Sequence, residues 1–203
     1  MTSRARIGAT AFLLAGLGVL TLIARRAGPL PGDLTVTRAL QVSTSPSLDR
    51  LALKVSAVGS PFGLALLAGA VVVGLAERRR ILDATLVVAT GTAEAGTALL
   101  RLIAERPRPE MGLVRVVQFV PGTSFPSGHA ADAAALAVLL GHLTARWSVP
   151  QRVGAWAGLG LFALAEGTVR IYLGAHWASD VLGGYFLGGA LGLGLGWLSR
   201  IDR

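Results

Sequence analysis

The sequence predicts an all-α, polytopic membrane protein, a bundle of six transmembrane helices forming one domain over residues 1–203. Three observations predict it. Charged residues make up only 15% of the chain, where a soluble domain averages about 25%. Hydrophobic residues reach 53% and the mean hydropathy is +0.63. The apolar residues also gather into runs close to the ~20 needed to cross a bilayer, at Ile7–Ala24, Pro61–Ala76, Ile81–Ala104, His129–Ala145, Val153–Thr168 and Asp180–Leu198.

The first run is longer than the ~7–15 apolar residues of a signal peptide. Arg25 and Arg26 follow it in place of a small-residue cleavage site, so it reads as an uncleaved first helix. Between the first two runs, Leu48, Leu51, Val55 and Val58 form a stripe at helical spacing, and Asp49, Arg50 and Lys54 fall off it. That predicts a short amphipathic helix over residues 46–59, lying in the membrane interface. Ser45-Pro46 starts it and Gly59-Ser60-Pro61 stops it. In the third run the sequence Arg106-Pro107-Arg108-Pro109 ends the helix, because proline disfavours helical geometry in the residue before it. The sixth carries glycine at 184, 188, 192 and 196, a small-residue stripe that permits close packing within the bundle.

Orientation follows from arginine placement. With the amino terminus inside, Arg4, Arg6, Arg78, Arg79, Arg80, Arg146, Arg152, Arg200 and Arg203 lie on the inner side. Ten basic residues remain outside, but Arg101, Arg106, Arg108 and Arg170 of these sit in or beside motifs described next. The positive-inside rule therefore favours this topology. The net charge of +8 comes almost wholly from arginines between apolar runs, with no basic stripe interleaved with aromatics. Membrane phosphates are thus the expected partners and nucleic acid is not. Cysteine is absent, which excludes disulfides and thiolate metal sites.

Three stretches carry chemistry. Arg101 and Arg108-Pro109 flank the end of the third run, and guanidiniums suit bidentate capture of phosphate oxygens. Taken singly, such arginines also meet lipid headgroups. Pro126-Ser127-Gly128-His129 ends a loop where an alanine-rich helix begins. A helix start offers unpaired N–H groups to an anion, Ser127 can cap the helix or bond a phosphate oxygen, and Gly128 allows close approach. The plainer reading is an ordinary cap beside an interfacial histidine. Arg170 precedes His176 and Asp180, which are four residues apart and share a face if helical. The carboxylate can then hold one ring nitrogen and leave the other as a nucleophile; alternatively the pair caps the sixth helix. Glu94, Asp132 and Glu166 are acids within the apolar runs, expected to support the site, Glu166 by holding Arg170 and Asp132 by tuning His129.

Together, in this order, the three stretches resemble the type 2 phosphatidic acid phosphatase superfamily, whose pattern is K-x6-R-P, P-S-G-H and S-R-x5-H-x3-D. Arg101 stands where that pattern has lysine and Val169 where it has serine. The resemblance implies a lipid phosphatase of the membrane branch and a metal-free reaction without cofactor. His176 would attack phosphorus to give a phosphohistidine, Asp180 would orient it, and His129 would serve as acid and then base. Arg101, Arg108, Ser127, Gly128 and Arg170 would bind the phosphate. The expected substrates are undecaprenyl pyrophosphate, phosphatidylglycerophosphate, phosphatidic acid or diacylglycerol pyrophosphate, hydrolysed at the outer, periplasmic face of a cell inner membrane. A phosphotransferase of the same family and a non-catalytic lipid-phosphate transporter are the alternatives.

Overall fold

The structure, a computed structural model, describes residues 3–201. Arg203, counted above toward the inner face, lies outside the described residues, as does the side chain of Arg200. Among the described residues every regular element is a helix. Helix α1 (Ser3–Ala24) leads into a short α2 (Asp33–Leu40) that the hydropathy pattern did not reveal. Then come α3 (Pro46–Val58), α4 (Pro61–Glu77), α5 (Ile81–Ala89), α6 (Thr92–Ala104), α7 (Gly128–Leu143), α8 (Val149–Tyr172) and α9 (Ala178–Ile201).

Local signals set the boundaries. Ser45 caps α3 by accepting from the Leu48 N–H at 3.1 Å, and Ser60 caps α4 from Gly63 at 3.1 Å. A proline follows each cap, where its missing N–H costs nothing. Helix α6 stops at Ala104 with Glu105 in the left-handed region, φ 48°, just ahead of the proline-rich exit.

All six predicted runs are helical. By length and hydropathy, three helical stretches can cross a membrane on their own: Ser3–Ala24, Ile81–Ala104 (α5 with α6) and Ala178–Ser199. A fourth is gained if α3 and α4, bent by 53°, make one span; α7 is apolar but shorter. The protein is thus a multi-pass helical membrane protein.

Helix α3 ends one residue short of the stretch expected of it. Its inward face is Ala52, Ser56 and the half-buried Asp49, packed toward α8, whereas Leu48, Leu51 and Val58 are exposed. Arg50 and Lys54 are exposed as well, so the outward surface of the helix carries both apolar and charged side chains.

The centre of the bundle is the α7–α9 contact. Helix α7 is buried almost all round, with Ala130, Ala131, Ala133 and Ala135 fully inaccessible, so no polar face is present. A Cβ on Gly184 would strike the Ser127 carbonyl, one on Gly188 the Ala131 carbonyl, and one on Gly192 the Val138 side chain. The glycine stripe therefore serves packing within the bundle. Gly188→Leu would force a side chain against backbone that cannot rotate away, at a cost of about 3 kcal/mol, the upper end of over-packing penalties. Gly194→Leu, whose Cβ meets nothing within 4 Å, is the control. Thermal unfolding in detergent is expected to fall sharply for the first and hardly at all for the second.

Candidate active site

The three motifs meet at one end of the bundle, and the third is a tight turn, not a helix face. Helix α8 ends at Tyr172, Gly174 adopts φ 67°, and the N–H groups of Ala175 and His176 both donate to the Arg170 carbonyl at 3.1 and 3.3 Å. A side chain at Gly174 would also collide with the Arg115 carbonyl, so this turn needs glycine. His176 thus precedes α9, and only 1% of it is exposed.

The imidazole lies between Asp180 and Arg108. Its Nε2 is 3.2 Å from Arg108 Nη1. A guanidinium has only donors, so Nε2 carries the lone pair and the proton sits on Nδ1. Nδ1 is 3.6 Å from Asp180 Oδ2, too long for a hydrogen bond, and it has no other partner. Asp180 faces the ring as predicted but bonds elsewhere: Oδ2 accepts from the Trp177 N–H at 2.8 Å and Oδ1 from Arg106 at 2.6 Å. Burial, then the charges of Arg108, Arg170 and Arg101, holds the His176 pKa well below the ordinary histidine value. The ring is neutral at physiological pH, its lone pair meeting Arg108. Arg108 is lowered to about 10, chiefly by burial and then by Arg101 and Arg170, and stays charged.

The second motif joins the third through backbone. The Ser127 N–H donates to the Asp180 carbonyl at 3.0 Å. Ser127 is the N-cap of α7, yet its hydroxyl makes no cap bond and is buried without a partner. Gly128 lies against Arg101 and Glu94: a Cβ there would sit 3.4 Å from Arg101 Nη2 and 3.0 Å from Glu94 Oε2. His129 lies on the first turn of α7, close to Ser56 of α3 and to Arg170 and His176. Arg170, 2% exposed, donates to Ser56 Oγ at 2.7 Å and Gln118 Oε1 at 2.5 Å.

Every predicted site residue is therefore in one cluster. Within it, Nε of Arg101, Arg108 and Arg170, the Ser127 hydroxyl and His176 Nδ1 are buried and unpartnered. A buried donor left unmade costs about 1–3 kcal/mol, and the charges of Arg101 and Arg170 repel that of Arg108. An anion with several acceptor oxygens would relieve both penalties.

The supporting acids differ from expectation. Glu94 lies 3.9 Å from Arg101, but the Glu166 carboxylate packs on Gly59 and Arg170 is held by Ser56 and Gln118. Asp132 lines, with Glu94, the polar end of an apolar groove of about 330 Å³ between α4, α5, α6 and α7, whose walls include Leu64, Val72, Val87 and Leu136. Residues that sequence reasoning missed are Ser56, Gln118, Asp33 and the true role of Arg106. Arg106 is fully buried and bridges Asp33 and Asp180. No periodicity or motif spacing links those positions; the one available signal was an aspartate at the start of an unrecognised helix.

Comparison with known proteins identifies the family and the fold. The sequence model of the PAP2 superfamily matches residues 84–201. Phosphatidylglycerophosphatase B of Bacillus subtilis (strain 168) is 27% identical over 161 residues, covering 77% of each chain. The crystal structure of a transmembrane PAP2 type phosphatidylglycerolphosphate phosphatase from Bacillus subtilis superposes with a TM-score of 0.79 at 23% identity, over 98% of both chains. That of Aquifex aeolicus LpxE gives 0.63 at 25% identity, over 84% of this chain and 95% of the other.

Proposed function

The chain belongs to the PAP2 superfamily, and on that footing we propose that it is a membrane phosphatase hydrolysing a lipid phosphate or pyrophosphate through a phosphohistidine on His176. The observation that carries this reading is the set of unpartnered donors of Arg101, Arg108, Arg170 and Ser127 gathered around a neutral histidine. A phosphoryl group seated among them draws Arg108 away from Nε2 and frees its lone pair. Nε2 then attacks phosphorus. The bond to the lipid oxygen breaks, its electron pair stays on that oxygen, and His129 supplies the proton. Water deprotonated by His129 attacks the phosphohistidine, breaking the P–N bond and releasing inorganic phosphate. The guanidiniums, the Ser127 hydroxyl and the Gly128 N–H stabilise the equatorial oxygens throughout.

The lipid character of the substrate is supported by the apolar groove that ends at Glu94 beside Gly128, wide enough for a hydrocarbon chain whose phosphate lies at the arginines. Helices α1, α4, α5 with α6, α7, α8 and α9 make six crossings in this reading. The amino terminus is inside and the site lies at the outer face of an inner membrane. Phosphatidylglycerophosphate heads the candidate substrates because the Bacillus subtilis relative is named a phosphatidylglycerophosphatase. Undecaprenyl pyrophosphate, phosphatidic acid and diacylglycerol pyrophosphate follow.

The test is phosphate release by purified protein across these four lipids, with and without excess EDTA. Release from at least one lipid, undiminished by the chelator, is expected, because each proposed phosphate ligand is a guanidinium, a hydroxyl or a backbone N–H. Release from none would end the phosphatase reading, and loss in EDTA restored by magnesium would end the metal-free mechanism.

A further inference from the structure

Four arginines surround the proposed nucleophile, but one of them cannot bind substrate. Arg106 uses all five of its N–H donors inside the protein. Nη1 donates to Asp180 Oδ1 at 2.6 Å and Ser179 Oγ at 2.8 Å; Nη2 donates to Asp33 Oδ2 at 2.7 Å and the Gly28 carbonyl at 2.9 Å. Nε reaches the same carbonyl at 3.3 Å. By contrast Arg101, Arg108 and Arg170 each keep a buried Nε without a partner. The sequence gives all four the same residue type; the donor count separates one from the rest.

Asp33 is equally committed. It is 2% exposed at the start of α2, and its carboxylate accepts from Arg106, from the Ser179 N–H at 2.9 Å, from the Ser179 hydroxyl at 2.8 Å and from the Leu30 N–H at 2.8 Å. Asp33 thus fixes Arg106, Arg106 fixes Oδ1 of Asp180, and the other oxygen is left facing His176 Nδ1. Two carboxylates on one guanidinium leave one net negative charge behind the ring. The positive groups facing His176 are Arg108 of the loop, Arg170 of α8 and Arg101 of α6. Without Asp33, Arg106 would neutralise Asp180 alone.

We propose that Asp33 and Arg106 are positioning residues for the phosphoryl-transfer step, a buried carboxylate–guanidinium relay that sets the place and charge of Asp180 behind His176. The proposal rests on the reading of His176 as nucleophile. It extends the working site to α2, outside the stretch at residues 84–201 that matches the family.

The test is a double-mutant cycle between Asp33→Asn and Asp180→Asn, with kcat, KM and inhibition by inorganic phosphate measured for each variant. Asp33→Asn keeps the shape of the side chain, and kcat is expected to fall about 10–100-fold, the range seen when the outer partner of a functional side chain is removed. KM and phosphate inhibition should not move, because Arg101, Arg108 and Arg170 are untouched. Because Asp33 acts through Asp180, the double variant should lose little beyond Asp180→Asn alone. Wild-type kcat in Asp33→Asn, additive losses in the double variant, or phosphate inhibition weakened in step with kcat would each overturn the proposal. If Asp33→Asn does not fold, Ser179→Ala, which removes the hydroxyl that accepts from Arg106 and donates to Asp33, carries the same test, and wild-type kcat there overturns it. His176→Ala assayed alongside keeps the two readings apart. Turnover in that variant defeats the nucleophile, whereas an inactive His176→Ala with a fully active Asp33→Asn defeats only the relay.

Discussion

His176→Ala is expected to lose turnover by on the order of 10⁴-fold or more, as enzymes do when a covalent nucleophile is removed. The geometry leaves no substitute. His129 stands on a different helix, at the start of α7, and Asp180 is locked by Arg106 and Trp177. A denaturing alkaline quench of wild type with labelled substrate should trap a phosphoenzyme that is stable to base and labile to acid, and the variant should yield none. A labelled phosphoenzyme in His176→Ala would overturn the assignment. Binding of inorganic phosphate should largely survive, because the arginines do not depend on the ring.

His129→Ala is expected to separate two substrates. A lipid alkoxide leaves poorly without a proton, so activity on lipid esters should fall by roughly 10²–10⁴-fold, the usual contribution of general acid catalysis. With p-nitrophenyl phosphate, whose leaving group needs no proton, the fall should be much smaller. Steady-state rates on both substrates decide the matter. Equal losses would remove the acid role from His129 and leave the nucleophile in place.

Where the sequence was legible, neighbours along the chain carried the information. Pro126 to His129 form a helix start in one short stretch, and apolar runs mark helices because each must satisfy its own backbone in lipid. The glycine stripe on α9 is periodic, so its packing role could be read directly. Contacts between distant segments could not be read. Asp33 lies in a polar eight-residue helix with no hydropathy signal, and its partner Arg106 looks in sequence like any arginine at a membrane boundary. The four-residue spacing of His176 and Asp180 suggested a helical pair, but the turn at Gly174 places His176 before the helix. The stripe on α3 marked a helix there, but periodicity shows that two faces differ and not which one meets the protein; the inward one is Ala52, Ser56 and Asp49. Glu166 illustrates the same limit: four residues from Arg170, it packs on Gly59 of a different helix.

Helix α3 has a consequence for how this protein responds to its surroundings. Its inner face supplies the Ser56 hydroxyl that holds Arg170 and lies close to His129. Its outer surface exposes Leu48, Leu51 and Val58 beside Arg50 and Lys54. A single helix, bent by 53° where it joins α4, is therefore a partition between the surroundings and two groups of the proposed reaction centre. Bilayer thickness, chain packing or the detergent used for extraction presses on one side of that partition, and the arginine and histidine rest on the other.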